Sequence, residues 1–204
     1  MTMELVGRDG GTRFTHLAWR LLFELALKRC RRCVPAAIRE RLEGMLLSLG
    51  GSRVAWQGYH PHAALVAARG RLFTEPVKVR RGEERRCHGS AADLWAHDPE
   101  KYQLVTGYAL DAGVWLSHSW VVDSEALYET AEPFDHYFGA ALGPLLAWKF
   151  WVENFSLPGF GDSEPPHGFW EERPDLVNLS RTIAGLPRDE LARRLTAESQ
   201  GRTT

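Results

Sequence analysis

Between residues 102 and 130 the chain offers three consecutive runs that suit β-strands: YQLVTGYA at 102–109, VWLSHSWVV at 114–122 and ALYET at 126–130. β-Branched and aromatic residues dominate each run, and LDAG and DSE supply the turns between them. Turns this short cannot carry a crossover, so the three strands are expected to form an antiparallel meander. An apolar meander needs cover on at least one face, and the flanking sequence supplies helices for it.

From Phe14 to Lys28 the apolar residues fall at 14, 17, 18, 21, 22 and 25, which is helical spacing. Pro35 suits the first turn of a second helix that runs to about Leu49, where Gly50 and Gly51 stop it. These two helices read as a hairpin. A short helix is expected from Cys87 to about His97, since Pro99 disfavours helix in the residue before it. Pro144 to Asn154 (PLLAWKFWVEN) reads as a buried aromatic helix, and Pro187 to Glu198 as a short polar one. The segment from Tyr59 to Glu75 fits helix or strand equally. Val77 and Val79 alternate with charged neighbours as in a short strand, and 82–86 is a charged loop. Pro158, Gly159, Gly161, Pro165, Pro166, Gly168 and Pro174 mark a long irregular loop.

The class that follows is α+β. A chain of 204 residues accommodates one compact core with additions. We divide it into an N-terminal helical extension packed on the core (1–60), a core (61–155), and a Pro/Gly-rich loop with a short C-terminal helix (156–204).

Charge and cysteine usage narrow the function classes. Lys plus Arg number 25 against 26 Asp plus Glu, a net charge of -1, so no global field recruits nucleic acid or anionic lipid. The basic cluster at Lys28, Arg29, Arg31, Arg32, Arg39 and Arg41 is interleaved with Glu40 and Glu43 and reads as a solvated face. No run approaches the roughly 20 apolar residues of a membrane span. Three cysteines, Cys30, Cys33 and Cys87, are too few for a disulfide framework, which favours a reducing compartment and hence the cytoplasm.

The chemistry lies in the order of three residues: a cysteine opening a helix, a histidine within a strand, and an acid ending the next strand. Cys87, His118 and Glu129 fill these places. The positive end of a helix and a nearby imidazolium both favour a thiolate. His118 would accept and return a proton, and Glu129 would hold the far ring nitrogen and fix the tautomer. Adjacent strands lie ~4.8 Å apart, so such an acid and imidazole can meet.

CHGS at 87–90, LVTGYAL at 104–110, HSWVV at 118–122, LYET at 127–130 and YFG at 137–139 resemble the transglutaminase-like branch of the papain-like cysteine superfamily. The resemblance covers roughly residues 85–142. It implies a papain-like or transglutaminase-like core, a helix bearing the cysteine followed by an antiparallel sheet. It also implies Cys87 as nucleophile, His118 as base and Glu129 as orienting acid. The implied activity is hydrolysis or acyl transfer at an amide, peptide or ester bond through a thioester. A catalytically inactive binding module on the same scaffold is the alternative. Ser90 stands where the relatives carry Asn, and Glu129 where they more often carry Asp.

For the oxyanion, the backbone N–H of Cys87 is a natural donor, with Ser90, Gln103 or Tyr102 as side-chain candidates. Trp120 flanks the base, and His88 is placed to line the pocket. Trp148, Phe150, Trp151 and Phe155 at helical spacing read as core. No cofactor is implied. Cys87, His88, His97, His118 and His136 could converge on a metal, and Cys30 with Cys33 forms a single CxxC, but zinc sites usually carry two such pairs, and we assign no metal. The expected partner is a peptide, protein or small amide substrate, with no nucleic acid and no membrane; the sequence fixes no oligomeric state.

Overall fold

The computed structural model describes residues 34–56, 62–84, 86–154 and 174–201. In chain order the elements are α1 (Ala36–Leu49), β1 (Arg53–Ala55), α2 (Ala63–Arg69), β2 (Arg71–Phe73), β3 (Val77–Val79), α3 (Cys87–His97), β4 (Gln103–Asp111) and β5 (Val114–Val122). They continue with β6 (Leu127–Glu129), β7 (His136–Ala141), α4 (Pro144–Asn154), α5 (Pro174–Ala184) and α6 (Arg188–Ser199). The architecture is α+β. The helix expected at 14–28, together with Cys30 and Cys33, lies outside the described residues, as do Phe155 and most of the expected loop that follows it.

The sheet runs β2-β7-β4-β5-β6-β3, with β1 added beside β5. β4 and β5 pair antiparallel along their full length, from Gln103 with Val122 to Asp111 with Val114. The turn that joins them holds Ala112 at φ 45° and Gly113 at φ 81°. Two successive positive φ values match the right-handed twist of the strands they connect, which is why a tight turn suffices. β6 follows antiparallel, so the expected meander is present. The sheet is nevertheless mixed, because β1 runs parallel to β5 and β3 parallel to β6.

Both faces of the sheet are covered, so β4 is buried at seven consecutive positions where a one-sided strand would alternate. One face carries Leu104, Tyr108, Trp115, Val121 and Phe138 into a large core completed by the helices. The other carries Val105, Ala109, Trp120, Val122, Leu127 and Tyr137 into a smaller, aromatic core. α3 presents Ala91, Ala92, Trp95 and Ala96 to the larger core. α4 is buried along eight successive residues, Leu145 to Val152, as a helix enclosed on all sides must be.

The terminal segments contribute more than the sequence division suggests. β1, inside the stretch assigned to an N-terminal extension, is a strand of the same sheet, and Leu42 and Leu46 of α1 are fully buried in the larger core. Toward the C-terminus the structure adds a helix, α5, to the one anticipated, and Leu176, Ile183, Leu191 and Leu195 pack into that core too. No helix among the described residues is long and apolar enough to cross a membrane.

Candidate functional site

The edge of β5 that faces away from β4 is divided. β1 pairs with residues 114–116 and β6 with residues 121 and 122, and among the described residues no strand pairs with 117–120 between them. The start of α3 is placed at this gap. The chain leading to it is pinned to β6: the Arg80 N–H donates to the Glu129 carbonyl at 2.8 Å and the Gly82 N–H to the Thr130 carbonyl at 2.9 Å. The Glu83 N–H then donates to Ser90 Oγ at 3.1 Å, and the Arg86 guanidinium bonds the Glu83 carboxylate. Helical hydrogen bonding begins at once, the Ser90 N–H reaching the Arg86 carbonyl at 2.8 Å. Cys87 is therefore the first residue of its helix, half-buried and with a free thiol.

His118 lies on the aromatic face of β5, 3% exposed. Its Nε2 meets both oxygens of Glu129, at 3.0 Å and 2.9 Å. The Cys87 thiol lies near enough to act on the ring. Burial by itself would push the imidazole toward its neutral form, but the hydrogen bonds to Cys87 and Glu129 and the charge of Glu129 outweigh it, and the pKa rises to about 9. Phe134 and Trp120 enclose the ring, with centroids 4.7 Å and 6.2 Å away.

Glu129 is fully buried, and its carboxyl is held by more than the histidine. The Ala131 N–H donates to Oε1 at 2.7 Å, and the Tyr137 hydroxyl lies beside the carboxyl while accepting the Phe134 N–H at 3.0 Å. Burial, followed by the charge of Glu129, raises the Tyr137 hydroxyl well above its ordinary pKa, so it stays protonated. A buried carboxyl that accepts several hydrogen bonds is fixed in orientation and can fix the imidazole in turn.

A cavity of about 590 Å³ opens over this group. Cys87, His88 and His118 line it together with the 81–84 segment, Leu116, Ser117 and the loop from Thr130 to Phe134. The cysteine, the histidine and the acid are thus brought into one cluster.

The remaining candidates separate. His88 lines the cavity, but its Nδ1 is held at 2.7 Å by Ser119 Oγ, which donates to Thr106 Oγ1 at 3.0 Å on the helix-covered face of the sheet. Trp120 is fully buried beneath His118 and does not border the cavity. Ser90 is no oxyanion donor in this arrangement: its hydroxyl is engaged by the Glu83 N–H, and it packs so tightly on Gly82 that a β-carbon there would stand 2.3 Å from Oγ. Gln103 and Tyr102 are also displaced from the site; at the start of β4 they line a separate cavity of about 480 Å³, with Glu100, Lys101 and Asp175. Among the described residues no three His, Cys, Asp or Glu side chains are grouped to hold a metal ion.

The sequence reading did not single out Tyr137, Phe134 or Ala131. Tyr137 sat in the YFG run without an assigned role, and nothing local marked Phe134, whose part depends on a loop closing over a strand two elements earlier. Comparison with family models, curated proteins and solved structures finds no match for this chain.

Proposed function

We propose that this protein is a thiol-dependent hydrolase or acyltransferase that acts on an amide, peptide or ester carbonyl through Cys87, His118 and Glu129, on a papain-like, transglutaminase-like core. The observation that carries the reading is a buried imidazole bonded through Nε2 to a fully buried carboxyl, with a half-buried thiol lining the same cavity. The raised pKa of His118 keeps the imidazole protonated near neutrality, ready to donate to a leaving group.

In the reaction, Sγ of the Cys87 thiolate attacks the substrate carbonyl carbon and the carbonyl electrons move onto oxygen. The Cys87 backbone N–H, at a helix start and without an intrahelical acceptor, is available to that oxyanion. Collapse breaks the bond to the leaving amine or alcohol, which takes its proton from His118, and a thioester remains. Water, or an amine acceptor, then gives a proton to His118 as it attacks the thioester, and the thiolate departs. Glu129 keeps Nε2 engaged throughout, so Nδ1 is the nitrogen that exchanges the proton. Three cysteines are too few for a disulfide framework, and we place the protein in the cytoplasm.

The test is alkylation by iodoacetamide at pH 6, read by mass spectrometry at Cys87. Labelling much faster than that of a free thiol, lost in His118→Ala, supports the reading. Labelling no faster than a free thiol and indifferent to His118→Ala overturns it in favour of a binding module.

A further inference from the structure

His88 and Ser119 take no part in the reaction, yet each adjoins a residue that does. His88 follows Cys87 in the first turn of α3, Ser119 follows His118 on β5, and Nδ1 of the one lies 2.7 Å from Oγ of the other. The helix is thus tied to the strand one residue beyond the thiol and the imidazole. Ser119 in turn donates at 3.0 Å to Oγ1 of Thr106, its register partner on β4, and both are buried, Ser119 at 0% and Thr106 at 1% exposure. Phe150 of α4 packs edge-on to the His88 ring, with centroids 5.9 Å apart. A polar chain therefore crosses a core that is otherwise largely apolar. Such a chain fixes one arrangement when bonded throughout, and strands buried polar groups when broken. Because Ser119 gives its own proton to Thr106, its oxygen accepts from the His88 Nδ1–H. Neutral and protonated imidazole both supply that proton, so the tie holds whatever the charge of His88.

We propose that the His88–Ser119 hydrogen bond is a clamp that sets the approach of the Cys87 thiol to the His118 ring, which makes His88 and Ser119 positioning residues for the reaction. This rests on the thiol-enzyme reading and adds to it what holds the nucleophile at its base. Successive side chains of a strand point to opposite faces, so Glu129 fixes His118 from the aromatic side and leaves α3, on the other side, ungoverned. His88 supplies the hold from the helix side. Apolar packing alone tolerates small slides of a helix end, whereas a misplacement of about 1 Å costs on the order of a hundredfold in rate.

Ser119→Ala and His88→Leu remove the bond, while His88→Asn keeps a donor, its Nδ2, close to the position of Nδ1. Iodoacetamide labelling of Cys87 is followed as a function of pH, below the unfolding temperature of every variant. Ser119→Ala and His88→Leu are expected to label slower than wild type by about tenfold or more at pH 6 and to follow the profile of a free thiol, with His88→Asn restoring the wild-type profile. A structural role alone would lower the unfolding temperature and leave the profile in place; that result, or a His88→Asn profile no better than that of His88→Leu, overturns the proposal. NMR titration of the His118 ring reads the same approach without calling on reactivity. Withdrawing Cys87 should lower the raised His118 pKa in Ser119→Ala and His88→Leu, and His88→Asn should keep it. If the wild-type thiol labels no faster than a free thiol, the thiol-enzyme reading is what fails, and the titration alone decides the clamp. A lowered His118 pKa in the two variants that lack the bond then upholds it, and an unchanged one overturns it.

Discussion

The indole of Trp120 lies nearly parallel to the imidazole of His118, with 20° between the planes and 6.2 Å between centroids. Two residues apart on one strand, they share a face, and Trp120 has room to lie this way because Gly139 is beside it. A β-carbon at Gly139 would stand 2.8 Å from both Trp120 Cη2 and the Thr106 carbonyl oxygen. Gly139→Ala is therefore expected to destabilise the fold by about 1–3 kcal/mol and to slow Cys87 alkylation by tilting the rings. Thermal unfolding and labelling rates measured on the same sample check both parts.

Replacing Glu129 with Gln removes the carboxylate's share of what raises His118 and leaves burial opposed by Cys87 alone. The histidine pKa should fall from its raised value, and stability should drop by about 3 kcal/mol as a buried pair is broken. NMR titration of the His118 ring and chemical denaturation are the measurements; an unchanged pKa contradicts the assignment.

Stability itself should depend on pH through the same ring. A histidine whose folded pKa is raised contributes stability that is fully present below about 6.5, its ordinary value, and is lost as pH climbs. For His118 that loss runs up to about 9. Thermal midpoints should therefore decline across this window in the wild type and decline less in Glu129→Gln.

Ser90→Ala offers a contrast, because its hydroxyl supports the loop and does not touch the chemistry. Losing the acceptor for the Glu83 N–H should cost about 1 kcal/mol and loosen the 81–84 wall. Cys87 should remain reactive in this variant, whereas an oxyanion role would make the loss of reactivity large. Ser90→Asn, which restores the residue of the resembled family, should be worse tolerated, since Gly82 already presses on the serine.

Much of this was legible in the chain because it was local. The strands β4, β5 and β6 announced themselves by composition and by their turns, and α3 by Pro99 and the position of Cys87. Short strands whose partners lie far away were not legible: β1 has three residues and pairs with Val114–Leu116, and β2 has three and pairs with Tyr137–Gly139. No local pattern in such segments records a partner. The cysteine, histidine and acid could be named from their order, but Ser90 and Gln103 could not be placed. The first depended on how closely Gly82 approaches, and the second on which end of β4 faces the cavity.

The divided edge of β5 carries a demand on assembly. His118 and Ser119 are sequence neighbours sent into different cores, one to Glu129 and the other to Thr106 and His88. A slip of β5 by a single residue would exchange them, burying an imidazole among the helices and offering a hydroxyl to the carboxylate. The hairpin at Ala112 and Gly113 is thus the adjuster of the site, remote from the cavity yet deciding which side chain arrives there.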